Sequence, residues 1–236
     1  MAAYSASRSI ALNFGALAQY KITANLTVCC WANLISAPDL NYPCLISRGI
    51  LNAGDSYCLY QYPVTNTVNF GVCWDTLGNR VIVQSAVGNL HGALHHFAGV
   101  RNKTAGTLQI YVDGQLSASA GMSSSYNILA GTQPLYIGNN GRPMGGLNYD
   151  SRVYNRALSA AEIADIYASK GRDSVLDSSM VLRTCILNGY TGDSLTGQTV
   201  YDHSTYKNHI TASGTIAVGA DPYSTVKPPV QLVLTR

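Results

Sequence analysis

The sequence predicts an all-β protein, a sandwich of two antiparallel sheets with one short helix. Three observations predict it. Short apolar runs rich in β-branched and aromatic residues recur along most of the chain, with turn residues between them. Asp113-Gly114, set between Leu108/Ile110/Val112 and Leu116, is the dipeptide of a tight hairpin. Helical punctuation occurs once: Ser159 and Glu162 form a capping box, with Leu158 and Ile163 in staple positions around it.

Taken in order, the candidate strands are 9–14, 26–34, 44–48, 57–62, 67–74, 80–84, 95–101, 108–112, 115–118, 135–137 and 147–154. Turns are supplied by 52–55, Gly78-Asn79, 102–106, Asp113-Gly114 and 138–146. Cys29 and Cys30 are adjacent in a strand, so their side chains point to opposite faces. In the helix, Ile163, Ile166 and Tyr167 form the apolar face and Gly171 suits the stop. Further strands are expected at 180–186 and 199–201, with a polar loop at 189–197. One domain therefore spans 1–220, and 221–236 reads as an extended arm. In the arm, Pro222, Pro228 and Pro229 precede the apolar residues Val230, Leu232, Val233 and Leu234. Such a run needs a partner strand, either in this domain or on a neighbouring subunit.

Composition excludes several functions. Charged residues are 11% and the net charge is +3, with no basic run, so nucleic-acid binding is not expected. Apolar residues are 47%, yet no run reaches the ~18–20 residues of a membrane span. The first residues lack the layout of a signal peptide. The six cysteines are accordingly expected to be buried free thiols, and no C-x-x-C spacing marks a zinc site. Sixteen tyrosines on a charge-poor chain suit a lectin-like surface or one covered by neighbours, although strands also favour aromatics.

Glycoside hydrolysis usually needs two carboxylates. The only glutamate is Glu162, already explained as a cap, and the eleven aspartates form no paired motif on one strand. No enzyme is expected unless folding brings two aspartates together. His96 reads as structural, Asp113 as a turn residue and Asp150 as the partner of a nearby arginine. For a sugar, an aromatic platform with amide and cationic groups is wanted, and Tyr60, Tyr62, Trp74, Asn139, Asn140 and Arg142 are the candidates. For calcium, which takes oxygen ligands, the best cluster is Asp202, Ser204 and Asn208; an Asx-turn explains the same residues without metal.

The stretch from His96-Phe-Ala98-Gly99-Val100 through Tyr111-Val112-Asp113-Gly114, Ile137-Gly138 and Asp150, Arg152, Tyr154, Asn155, Leu158 and Glu162 resembles the laminin-G-like, concanavalin-A-like jelly-roll family. The resemblance is most specific over 95–167. A family segment that often precedes the opening strands resembles 200–209 here, which implies last strands returning beside the first. It also implies a carbohydrate-binding or adhesion module. The surface composition and the arm suggest a second role, a structural component of a virus or phage particle that acts by homo-oligomer or lattice contacts. The location expected is then the virion surface, and otherwise the cytoplasm or export without a signal peptide.

Overall fold

The computed structural model describes residues 11–35, 42–49, 51, 56–75, 77–138, 142, 144, 146–173, 177–184 and 199–211. They form two six-stranded antiparallel sheets, as the sequence predicts. The first sheet orders β1 (Ala11–Asn13), β10 (Leu135–Gly138), β3 (Cys44–Arg48), β4 (Tyr57–Tyr62), β5 (Thr67–Cys73) and β6 (Arg80–Gln84). The second orders β12 (Met180–Thr184), β11 (Gly146–Tyr154), β2 (Leu26–Leu34), β7 (His95–Asn102), β8 (Thr107–Val112) and β9 (Gln115–Gly121). β13 (Thr199–Val200) and β14 (Ile210–Thr211) pair with each other, and Val200 packs on the main core. Residues 212–236, and so the arm, lie outside the described residues.

Period-two alternation sorts the side chains. Val28, Cys30, Ala32 and Leu34 of β2 face Val68, Phe70 and Val72 of β5 across one continuous core. The sheets approach closely at Gly99, where an added Cβ would lie 2.3 Å from Phe70 Cγ. The β8–β9 hairpin turns on Asp113 and Gly114, both at positive φ (51° and 78°), the geometry that favours this dipeptide. Asp113 also accepts from the His96 backbone N–H at 2.9 Å and contacts His95 Nδ1 at 2.7 Å. The crossing from β9 to β10 is held at its ends by two buried arginines. Arg101 donates to the Thr23, Ala24 and Tyr126 carbonyls, and Arg48 donates to those of Leu129 and Gly131.

The second sheet has a covered outer face. Cys29, Ala98, Val100, Tyr111 and Tyr154 pack there against Leu158 and Ile163. The covering helix, α1 (Ala160–Ser169), begins with the expected capping box: Ser159 Oγ accepts from Glu162 N–H, and the Glu162 carboxylate accepts from Ser159 N–H. It ends at Lys170 in the left-handed region and Gly171 at φ 74°, where a Cβ would meet the Tyr149 hydroxyl at 2.7 Å. Tyr167 stacks on Trp31 with centroids 5.3 Å apart, and His96 lies against the same indole. Burial lowers the His96 pKa to about 4, so this imidazole is neutral at pH 7.

Below the helix lies a buried ion network. Arg152 donates to Asp150 Oδ2 (2.9 and 2.5 Å) and to both oxygens of Asp173 (2.9 and 2.5 Å). Arg183 donates to Asp150 Oδ1 (3.0 Å) and to the Asp173 and Gly171 carbonyls (2.7 and 3.2 Å). Asp150 has φ 47° beside a bulge between Tyr149 and Arg152, which turns its carboxylate toward both guanidiniums. For Asp173, burial raises the carboxyl pKa, but Arg152 and Arg183 outweigh that and lower it to about 2.

Removing the shared acceptor leaves two buried cations under-paired. Asp150→Asn is expected to cost roughly 3–5 kcal/mol in urea unfolding. The Asp173 contribution is complete above its unfolded pKa of 3.8 and is lost as pH falls toward about 2, so wild-type stability should decline across that interval. An Asp150→Asn protein as stable as wild type would contradict this role.

Candidate functional site

The outer face of the first sheet carries the site. Cys58, Tyr60 and Tyr62 of β4 point outward while Tyr57 and Leu59 enter the core. In register beside them lie Gly71 and Asn69 of β5 and Ile82 of β6. β3 adds Cys44 through an irregularity. Cys44 pairs with Tyr60 but Ile46 pairs with Leu59, so one extra residue is inserted. Leu45 and Ile46 both turn inward and Cys44 is re-aimed to the outer face. Gly71 leaves room for Leu51, whose Cδ1 would lie 2.8 Å from a Cβ there.

The result is a pocket of about 310 Å3 lined by Tyr42, Tyr60, Tyr62, Arg80, Arg142, Cys44, Cys58, Leu51 and Ile82. Tyr42 stacks on Tyr62 (centroids 5.7 Å, 23°) and meets Tyr60 edge-on (6.3 Å). The Arg142 guanidinium lies 5.5 Å from the centre of the Tyr42 ring, and its carbonyl accepts from Cys44 N–H. Tyr60 Oη accepts from Asn69 Nδ2 at 3.4 Å. Burial pushes the Tyr60 hydroxyl pKa up to about 12, so it is a neutral donor at pH 7. Aromatic faces, hydroxyls and two cationic side chains therefore share one concavity. They can stack an apolar sugar face and hold an acidic group.

Of the residues singled out in the sequence, Tyr60, Tyr62 and Arg142 meet here. Trp74 does not. It follows Val68, Phe70 and Val72 at even spacing, packs against the core, and stacks on Tyr126 at 4.5 Å and 7°. Strand parity sends it to the opposite face from Tyr60. Asn139 and Asn140 lie outside the described residues. Tyr42, Leu51, Arg80, Ile82 and the two cysteines are additional. Period-two spacing from Tyr60 to Cys58 marks one of them in the sequence, whereas the insertion that aims Cys44 has no sequence signature.

The Asp202 cluster takes the form of the Asx-turn. Asp202 is buried, and its Oδ1 accepts from Arg183 and Ser204 N–H (3.1 and 2.9 Å). Oδ2 accepts from Ser204 Oγ–H and Asn208 N–H (2.9 and 3.0 Å). Four donors thus engage the two carboxylate oxygens. Among the described residues, no group of three or more His, Cys, Asp or Glu is arranged to hold a metal. Folding does bring two aspartates together, Asp150 and Asp173, but both carboxylates are engaged by the guanidiniums of Arg152 and Arg183. Neither is set up as a proton donor for glycoside cleavage. No helix among the described residues is long and apolar enough to cross a membrane.

Two six-stranded antiparallel sheets with one short helix make this a concanavalin A-like sandwich. The chain belongs to the Laminin_G_3 family of the concanavalin A-like lectin/glucanases superfamily, which it matches over residues 6–164. No curated protein matches it. Among solved structures it is similar to a native heptameric SAP-like pentraxin from Limulus polyphemus (TM-score 0.53, 13% identity, covering 90% of this chain and 96% of that one). It is also similar to the CBM40 of the Ruminococcus gnavus IT-sialidase, bound to α2,3 sialyllactose (0.53, 17%, 68% and 97%). A third is the binding domain of Paraclostridial Mosquitocidal Protein 1 (0.51, 13%, 93% and 62%). At these identities the likeness is one of fold.

The hydrogen bonds at Asp202 predict that this cluster contributes no calcium-dependent stability. Asp202→Ala should cost roughly 1–3 kcal/mol by leaving buried donors unpaired, and the difference between melting temperatures in millimolar calcium and in chelator should be the same with and without the substitution. A rise in Tm with calcium that Asp202→Ala abolishes would restore the metal reading.

Proposed function

We propose that this protein is a non-catalytic carbohydrate-binding module whose ligand seat is the pocket on the outer face of the first sheet. The observation that carries the reading is the joint lining by three tyrosines and two arginines. A pocket of about 310 Å3 lies at the lower end of the range for small-ligand sites. The lining favours a saccharide that offers an apolar ring face to tyrosine and a carboxylate or sulfate to arginine. A module of the same fold, the Ruminococcus gnavus CBM40, is bound to sialyllactose, an acidic saccharide. The particle-assembly role expected from the arm has no described residue behind it, since Val230, Leu232, Val233 and Leu234 fall outside them.

A glycan array run with and without chelator, followed by calorimetric titration of the hits, tests the reading. Binding should favour acidic glycans and persist in chelator. Tyr62→Ala and Arg142→Ala should each weaken it about tenfold or more, equivalent to roughly 1.4 kcal/mol. Both residues are partly exposed, so their melting temperatures should change little. Absence of any glycan signal in both conditions would overturn the proposal.

A further inference from the structure

The floor of the pocket holds a feature that saccharide binding does not use. Cys44 Sγ and Cys58 Sγ are 3.2 Å apart, inside ordinary sulfur–sulfur contact, on adjacent strands of the same sheet face. The strand irregularity at Leu45 creates this approach, because without it Cys44 would pair with Gln61 and point to the other face. The other described cysteines differ: Cys29 and Cys30 are consecutive and enter separate clusters, and Cys73 contacts the Asp75 carbonyl. Both cysteines line the pocket, each with 3% of its surface exposed.

We propose that Cys44 and Cys58 are a reversible redox pair, forming an intramolecular disulfide across the pocket floor by exchange with a low-molecular-weight disulfide such as oxidised glutathione. The sulfurs need to close by only about 1 Å to reach the ~2.05 Å bond length. One cysteine, as thiolate, attacks a glutathione sulfur, breaking its S–S bond and expelling one glutathione thiolate. The second cysteine then attacks the protein sulfur of the mixed disulfide, forming the Cys44–Cys58 bond and expelling the second glutathione. Two protein thiols are oxidised, one disulfide is reduced to two thiols, and the two protons pass to the departing glutathiones. Arg80 and Arg142 line the same pocket and complement the carboxylates of glutathione. Burial, reinforced by Cys44 beside it, pushes the Cys58 thiol well up, so little thiolate forms at pH 7 and exchange is slow.

The test equilibrates the full-length protein in glutathione buffers from fully reduced to fully oxidised, blocks thiols with N-ethylmaleimide in denaturant, and maps peptides by mass spectrometry. The expected product is a Cys44–Cys58 cross-link that grows with the oxidised fraction and is reversed by dithiothreitol. It should be accompanied by a Tm rise of about 5–10 °C for a loop of this length. In Cys58→Ser the rise should vanish. Maleimide on both Cys44 and Cys58 under full oxidation, a stable glutathione adduct on either, or pairing with another cysteine would each overturn the proposal. The measurement uses no saccharide, so its failure leaves the glycan-seat reading standing, and the reverse also holds.

Discussion

The buried charges of Asp150, Arg152 and Arg183, joined by the partly buried Asp173, decide which face of this sandwich is free. A two-sheet sandwich buries its inner faces together, and each outer face must be covered or left open. Here the network ties β11 and β12 to the segment that follows α1, so the helix is fixed over the second sheet. Trp31, His96 and Tyr167 complete that contact with stacked rings. Ion pairs so deep are weak contributors to net stability relative to apolar packing, but they tolerate no loss of a single partner. Their consequence is positional: with the helix committed to one side, the first sheet presents the outer face on which the pocket forms.

The pocket follows from two local departures from regular sheet structure. An inserted residue at Leu45 turns Cys44 outward and brings β3's outer edge toward Tyr60. Gly71, lacking a side chain, lets Leu51 settle on the sheet instead of standing off it. Around them, Tyr42, Tyr60 and Tyr62 contact one another and Arg142 lies against Tyr42, so the wall is held in place without a ligand. Rings that are already mutually packed lose little freedom on binding, which suits recognition of a weakly apolar partner such as a sugar.

Much of the architecture was legible in the residues themselves. The strand spans, the Asp113-Gly114 hairpin and the Ser159/Glu162 cap follow from local chemistry, and the structure places them where that chemistry predicts. Asp150 also has the arginine partners expected of it. The site was legible only in part, because it depends on sidedness. Counting in twos along β4 groups Tyr60 with Tyr62, but the same count along β5 puts Trp74 in the core, a distinction that requires knowing which face is open. Cys44 escapes such counting altogether, since an insertion shifts its parity and nothing near Leu45 announces it. Asp202 illustrates a different limit: an Asx-turn and a calcium loop use the same residue types, so the sequence alone leaves open the four donors found around its carboxylate.

In the proposed function, ligand recognition is confined to the tyrosine–arginine pocket. Nuclear magnetic resonance of ring-labelled tyrosine, followed during titration with sialyllactose, tests it most directly, because tyrosines are spread over the molecule. Shifts restricted to Tyr42, Tyr60 and Tyr62, with Tyr126, Tyr167 and Tyr206 unmoved, are the predicted result. Saturable shifts centred on Tyr126 or Tyr206, with the three pocket rings unchanged, would contradict the account.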